Sequence, residues 1–431
     1  MQTEARPLDR NDVRTLTLAA LGGALEFYDF IIFVFFAAVI GKLFFPPDTP
    51  QWLGLLQTYG IFAAGYIARP LGGIVMAHFG DLVGRKRMFV FSVFLMAVPT
   101  LLIGLMPTFA TIGYAAPILL LLFRIAQGAA IGGEAPGAWV FVSEHVPPGR
   151  VGLACGMLTA GLTFGILLGS LMALVINRSF PPAEISDWAW RIPFLTGGAF
   201  GLIAMYLRRF LEETPVFEAM RARAEQARGI PLIKALAGHG GAMAVSLVAS
   251  WMLTAAIVVL ILLAPTNLPG LFGIDAVSMS LANLAATATL TLSAVFTGWC
   301  LDRFGLRPVM AVAALALIGG AYALYAGAQA RPDLVIALYA FTGFTVGAVS
   351  IVPYVMVHAF PPEVRFSGVS FAYNLAYAVF GALTPILIGW VILRDPLGPA
   401  HYVAAAALVG AATILTFARP YSAALASGRA T

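Results

Sequence analysis

Charged side chains are scarce in this sequence: of 431 residues only 10% are Asp, Glu, Lys or Arg, where an ordinary soluble domain carries about 25%. With 60% apolar residues and a mean hydropathy of +0.91, a water-soluble globule is excluded. Its surface would have to be built largely from Leu, Ala, Val and Phe. Cysteine is nearly absent, and Cys155 and Cys300 can neither staple such a chain nor, at that spacing, hold a metal. The five histidines, His78, His145, His239, His358 and His401, fall near the ends of apolar runs and form no ligand cluster. They read as solvated loop-edge residues, with a proton relay through His358 as the other reading. No phosphate-cradling loop and no nucleophile or metal constellation is visible, so neither ATP-driven transport nor a membrane enzyme is supported, and no metal or cofactor is expected. The formal charge of +5 contains no basic run longer than Arg85-Lys86-Arg87, so it is not the footprint of a nucleic-acid partner.

What the chain does have is long apolar runs. The first, from about residue 16 to 40, is too long for a signal-peptide core and contains Glu26 and Asp29, so it reads as a retained membrane helix. A bilayer core takes roughly 20 apolar residues per helix. On that ruler twelve spans are expected, near 16–41, 52–76, 88–106, 114–142, 151–177, 191–207, 236–263, 276–299, 309–328, 334–357, 367–392 and 400–417. The fold class is therefore an all-α polytopic membrane protein, because open strands cannot satisfy their backbone in lipid.

Basic residues then give the orientation. Alternate loops hold Arg6, Arg10 and Arg14, then Arg85-Lys86-Arg87, Arg150, the stretch from Arg208 to Lys234, Arg303 with Arg307, Arg365, and Arg419 with Arg429. The opposite loops hold only Lys42, Arg178, Arg331 and Arg394, with Arg191 at the mouth of the sixth span. The basic side is expected to be cytoplasmic, with both termini inside and the chain in the plasma (inner) membrane.

Two loop motifs recur about half the chain apart. Asp81-Leu82-Val83-Gly84-Arg85-Lys86-Arg87 is echoed by Asp302-Arg303-Phe304-Gly305-Leu306-Arg307, and Pro147-Pro148-Gly149-Arg150 by Pro361-Pro362-Glu363-Val364-Arg365. The repeat divides the chain into an N-terminal six-helix half (1–207), a charged, solvated linker (208–235) and a C-terminal six-helix half (236–431).

On these residues the chain resembles the major facilitator superfamily, whose loop between helices 2 and 3 carries G-x-x-x-D-R-x-G-R-R/K. It departs from that pattern at Ala77 and Leu82, and at Leu306 in the second copy. Within the superfamily it is similar to the metabolite:proton symporters, the citrate, α-ketoglutarate, shikimate and proline/betaine permeases. That similarity rests on Glu26-Phe27-Tyr28-Asp29-Phe30, Arg69-Pro70-Leu71-Gly72, Arg124 with Gln127-Gly128 and Gly132-Gly133-Glu134, Trp190-Arg191-Ile192-Pro193-Phe194 and Glu213-Thr214-Pro215-Val216-Phe217. The resemblance implies a secondary transporter in which Asp81, Gly84 and Arg85, with Asp302 and Arg303 in the second copy, latch the cytoplasmic side shut. Physically, a carboxylate at one helix end can cap the exposed N–H groups of a neighbour, a contact made in one packing of the halves and broken in the other. The bland alternative is that these basic residues only set topology.

Five charges lie well inside spans: Glu26, Asp29, Arg69, Arg124 and Glu134. Each costs at least about 2.5 to 3.5 kcal/mol near the bilayer centre, so each needs a partner, water or a proton. Three carboxylates against two guanidiniums leave one surplus negative charge, which a proton would neutralise. Because the first span lines the central cavity in this superfamily, Asp29 is the first candidate for proton coupling, followed by Glu26 and Glu134. The alternative is a static network, Glu26 or Glu134 to Arg69, tying spans together. Arg124 is the natural anchor for a substrate carboxylate, since its planar fork makes paired bonds. Gln127, Tyr28 and Arg69 accompany it.

The C-terminal half offers only Trp251, Thr254, Asn283, Tyr354, Tyr373, Asn374 and Tyr377. As substrate contacts Trp251, Asn283, Tyr354, Asn374 and Tyr377 compete with plain packing and interhelical hydrogen bonding. Gly128, Gly132, Gly156, Gly161, Gly165 and Gly169 read as close helix contacts, and Pro99, Pro136, Pro193, Pro353 and Pro385 as kinks. The expectation is a monomer importing a small carboxylate with a proton as coupling ion, by alternating access. Its rivals are a proline/betaine-type osmolyte symporter and a proton-coupled efflux antiporter. A channel is disfavoured by the two-half repeat.

Overall fold

A computed structural model describes residues 8–83, 85–208 and 231–418, and the described residues are helical with no strand. Twelve helical runs of at least 18 residues stand among the described residues, nine of them long and apolar enough to cross a membrane: α1 (Arg10–Phe35), α2 (Gln51–Val83), α3 (Arg85–Leu105), α4 (Ala115–His145), α5 (Val151–Ser179), α6 (Arg191–Arg208), α7 (Gly240–Phe272), α8 (Ala276–Phe304), α9 (Leu306–Ala330), α10 (Pro332–Ala359), α11 (Arg365–Val391) and α12 (Gly398–Phe417), the nine being α1, α4, α5 and α7 to α12. The first six form one half and the last six the other, meeting along α2 with α11 and α5 with α8. The expected linker is described only at its ends, where α6 closes at Arg208 and a short helix, Pro231–Gly238, precedes α7. Its acidic and basic residues from Glu212 to Arg228 lie outside the described residues.

The helix limits follow local chemistry. α1 begins at Arg10, ahead of its apolar run, because Asp9 and Asp12 form a reciprocal capping box. Asp275 caps α8 by accepting from the Val277 and Ser278 amides at 3.0 and 2.8 Å. Gly273 (φ 66°) ends α7, and Gly305 (φ 82°) allows the sharp α8–α9 turn that a side chain would oppose.

The expectation for span 7 stops near residue 263, but α7 continues to Phe272. Pro265 has no N–H for the carbonyl four residues back, and a π-helical stretch, Ala256–Leu263, absorbs that break before the helix resumes. The same device recurs as a π segment, Tyr377–Gly381, ahead of Pro385 in α11, and as a 3₁₀ turn, Gly347–Ser350, ahead of Pro353 in α10. In the N-terminal half Pro99 and Pro136 pass without a change of helix type.

Small residues set how closely the helices approach. A Cβ on Gly128 would overlap the Gly65 carbonyl of α2, and one on Gly72 would overlap the Ala129 carbonyl of α4. Gly161 and Gly165 do the same for α5 against Ala20 and Ala24 of α1. Across the halves, Gly152 and Gly156 of α5 press on Gly298 and Ala294 of α8. In lipid this close backbone contact takes over the role that hydrophobic burial plays in water.

Candidate functional site

The two intramembrane arginines lie inside the bundle and are joined by aromatic rings. Arg124, fully buried on α4, donates from Nη1 to Gln127 Oε1 at 2.8 Å and to the Phe30 carbonyl at 3.4 Å. Its guanidinium carbon lies 4.5 Å from the Phe30 ring centre and 4.4 Å from that of Phe33, both on α1. Phe30 meets Tyr66 edge-on at 5.5 Å. Tyr66 stands one turn before Arg69 on α2 and stacks on Tyr377 of α11.

Arg69, 1% exposed, thus sits in a cage of Tyr66, Tyr373 and Tyr377, its guanidinium carbon 5.6, 5.1 and 4.1 Å from their ring centres. Its Nε donates to Asn374 Oδ1 at 3.2 Å, while Nη2 is buried with no hydrogen-bond partner. The ion pair to Glu26 or Glu134 expected as a static network is not made by Arg69 among the described residues. The reason is geometric: Arg69 turns to the seam between the halves, where Asn374 and Ser370 also donate to the Gly132 carbonyl of α4.

Asp29 and Glu134 are held elsewhere, by α6 and by Ser92 of α3. Asp29, 1% exposed, has neither oxygen hydrogen-bonded. It faces α3 and α6, since a Cβ on Gly197 would overlap its Oδ1 and one on Gly201 would lie 3.6 Å from its Oδ2. The expectation that Asp29 lines a central cavity is therefore corrected: it occupies the interior of the N-terminal half. Tyr28 belongs there too. Its hydroxyl donates to the Pro193 carbonyl of α6 at 2.9 Å and its ring meets Phe200 edge-on, so it is not brought together with Arg69 or Arg124. Glu26 is buried one turn along α1, and Glu134 accepts from Ser92 of α3.

Three other expected contacts are also placed elsewhere. The Trp251 indole donates to Tyr402 of α12 at 2.9 Å and stacks on Phe380, so it faces the outer side of its half. Asn283 donates to Ser170 across the α5–α8 seam at 3.2 Å. Tyr354 packs on His358 beside a cavity of about 250 Å³ lined also by Leu306 and Phe417, at the end of the bundle that carries the α8–α9 turn. Asn374 and Tyr377 do reach Arg69, and Gln127 reaches Arg124.

Tyr66 and Thr100 escape a sequence reading. Tyr66 has a usable signal, its spacing from Arg69. Thr100 has none, being one hydroxyl in an apolar run.

That same end holds the halves together. Asp302, in the last turn of α8, accepts from the Gly152 and Leu153 amides at 2.7 and 2.8 Å. It thereby caps the first turn of α5 from the other half. Glu144 of α4 pairs with Arg365 of α11 at 3.2 Å, again across the halves. Arg303 is exposed. Gly84 and the side chains of Asp81 and Arg85 lie outside the described residues.

Losing a cap costs about 0.5 to 2 kcal/mol. Asp302→Ala is therefore expected to raise alkylation of the buried Cys155 of α5 by roughly 2- to 30-fold, read with N-ethylmaleimide in a Cys300→Ser background. An unchanged rate would show that the cap does not hold this end closed.

The Trp190-Arg191 motif has a structural role. Arg191 donates to the Gly104 and Met106 carbonyls at 3.0 and 2.7 Å, satisfying the open end of α3.

A family model described as sugar (and other) transporter matches residues 15–232. The chain is similar to a putative proline/betaine transporter of Staphylococcus aureus (strain COL), 30% identical over 408 residues, 92% of this chain and 86% of that one. It is 32% identical over 400 residues to the citrate-proton symporter of Klebsiella pneumoniae, covering 90% and 88% of the two chains. Among solved structures it is similar to the proton:xylose symporter XylE bound to 6-bromo-6-deoxy-D-glucose, with a TM-score of 0.79 at 17% identity, covering 95% and 96%.

Proposed function

Because the chain belongs to the sugar (and other) transporter family, membrane carriers of the major facilitator superfamily and not enzymes, we propose that it is a proton-coupled symporter importing a small organic acid. One observation carries the reading. Two guanidiniums are buried in an aromatic setting, and Arg69 keeps a buried donor, Nη2, without a partner. A buried cation with an unused donor suits an anion, since an arginine fork can bind a carboxylate through two parallel hydrogen bonds.

In this mechanism Arg124 holds the substrate carboxylate, with Arg69 as a second anchor at the seam. Asp29 takes the proton, the neutral form being the one that a buried carboxyl with neither oxygen hydrogen-bonded favours. Counted over Asp29 and Arg124 alone, the empty site and the fully loaded one are both neutral and the halves can reorient; with only the proton or only the carboxylate bound, one uncompensated charge must be dragged through the lipid-like interior. The excess of basic residues in those loops supports a cytoplasmic position for the latched end and both termini, and the site would then be loaded from outside while Asp302 and Arg365 hold the inner end. The relatives' names support the coupling, and they also raise a proline/betaine-type symporter as second reading. Against it, the tyrosine cage suited to a quaternary ammonium is filled by Arg69 itself.

The test is uptake into proteoliposomes of labelled citrate, smaller mono- and dicarboxylates, proline and glycine betaine, with and without an inward proton gradient. A carboxylate is expected to accumulate with the gradient. Arg124→Lys, which keeps the charge and loses the fork, is expected to weaken its half-saturation by roughly 10- to 150-fold, the worth of about 1.5 to 3 kcal/mol for a charge-assisted bond. Gradient-driven uptake confined to betaine or proline overturns the organic-acid reading.

A further inference from the structure

Arg124 and Asp29 are not in contact, and what lies between them is a chain of hydrogen bonds. Arg124 donates to Gln127 Oε1 at 2.8 Å, and Gln127 Nε2 donates to Thr100 Oγ1 at 2.7 Å. Thr100 spends its own proton on the Met96 carbonyl one turn back, at 3.0 Å. Its side chain adjoins Asp29: a Cβ on Gly197 would overlap Asp29 Oδ1 and lie 2.9 Å from Thr100 Cγ2. Thr100 and Gln127 are each buried, so no bulk water competes for these bonds.

Toward Asp29, α3 presents Thr100 and Ala97, α6 presents Gly197 and Gly201, and α1 itself supplies the Tyr28 ring. The titratable and charged groups on the elements packed around it are Tyr28, whose hydroxyl is held by the Pro193 carbonyl, Glu26 one turn away on α1, Glu134 on α4, held by Ser92, Arg191 at the start of α6, held by the Gly104 and Met106 carbonyls, and Arg124 at the far end of the chain. Thr100 is therefore the hydroxyl donor beside the carboxyl, and its bond to Met96 is of the weak kind that a helix hydroxyl makes to its own preceding turn.

We propose that Thr100 is a two-position donor that reports the protonation of Asp29 to Arg124 through Gln127, making Thr100 and Gln127 the positioning residues of coupling. This rests on the function proposed above and adds its internal linkage. With Asp29 protonated, the hydroxyl donates to Met96, as observed, and accepts from Gln127, which in turn holds Arg124. When Asp29 gives its proton to water, the Thr100 hydroxyl turns about χ1 to donate to the new carboxylate, keeping its own proton. Turning takes Oγ1 from Gln127 Nε2, Gln127 loses its anchor, and Arg124 loses one of the partners that aim it, keeping the Phe30 carbonyl and the Phe30 and Phe33 rings. A proton thereby favours the substrate-ready arginine, and a bound anion favours the proton in return, as linkage requires.

The test needs no substrate. In purified protein in lipid nanodiscs, pH-difference infrared spectroscopy follows the protonated-carboxyl band, assigned to Asp29 by its loss in Asp29→Asn. Thr100→Val keeps the shape and removes the donor, so the band is expected to persist to higher pH by about one unit, the worth of one hydrogen bond to a carboxylate. Thr100→Ser restores the wild-type midpoint, and Gln127→Leu moves it by a measurable fraction of a unit. A band present in the wild type with the same midpoint in Thr100→Val and Gln127→Leu overturns the relay and leaves the proton site standing. No Asp29-dependent band at any pH overturns both. A shift that Thr100→Ser fails to reverse also overturns the relay, since it marks altered packing and not a lost donor.

Discussion

Asp29→Asn is expected to abolish gradient-driven accumulation. For a monoanion moving with one proton, each pH unit across the membrane is worth about 1.4 kcal/mol, a ceiling of roughly tenfold accumulation. Asparagine occupies the same volume but binds no proton, so the internal concentration should level with the external one whatever the gradient. Counterflow of labelled for unlabelled substrate should survive at a reduced rate, because the amide resembles the protonated carboxyl and the carrier can still reorient with substrate bound. Proteoliposome uptake with and without an inward gradient, beside counterflow, separates the outcomes. Full gradient-driven accumulation in the variant would falsify Asp29 as the proton site. Glu26→Gln in parallel shows whether the next carboxyl on α1 carries the proton instead.

The orientation of Asp29 marks where sequence reasoning stops. That α1 crosses the membrane and carries Glu26 and Asp29 three residues apart is plain from composition and spacing. Which way those carboxyls point is not, because Tyr28 through Phe33 are all at most 2% exposed. A helix buried all round has no polar stripe from which to read its inner face. α7 fails differently: Pro265 looks like a terminator, and only the π-helical stretch before it lets the helix run on. By contrast the ends of α5, α6 and α12 agree with the apolar runs to within two residues, since basic residues, prolines and glycines mark them directly.

The capping role of Asp302 also follows from its place in a repeated loop, whereas its partners Gly152 and Leu153 do not. They lie about 150 positions away, on the other half, and no local pattern connects them. Tyr373 is of this kind too, an ordinary aromatic until the α2–α11 seam brings it to the Arg69 guanidinium beside Tyr66.

The other large effect concerns the seam that holds Arg124 and Arg69 in place. Gly128→Ala should lower the melting temperature on the order of 5 to 10 °C, followed in detergent by loss of the monodisperse peak on heating. Its new methyl would overlap the Gly65 carbonyl, a backbone atom that can yield only if α2 and α4 move apart. Overpacking typically costs about 1 to 3 kcal/mol where side chains give way, and here no side chain can. The same substitution has the opposite sign where nothing stands in the way: at Gly319, exposed on α9, a Cβ meets no atom within 4 Å, so Gly319→Ala should gain about 0.8 to 1.0 kcal/mol of helix propensity. Parting α2 from α4 also moves Arg69 and Arg124 relative to each other, since one stands on each helix. Gly128→Ala protein that survives purification should therefore bind the carboxylate more weakly than Gly319→Ala protein at equal folded fraction. If both variants melt at or above the wild-type temperature, the α2–α4 backbone contact is not what fixes the distance between the two guanidiniums.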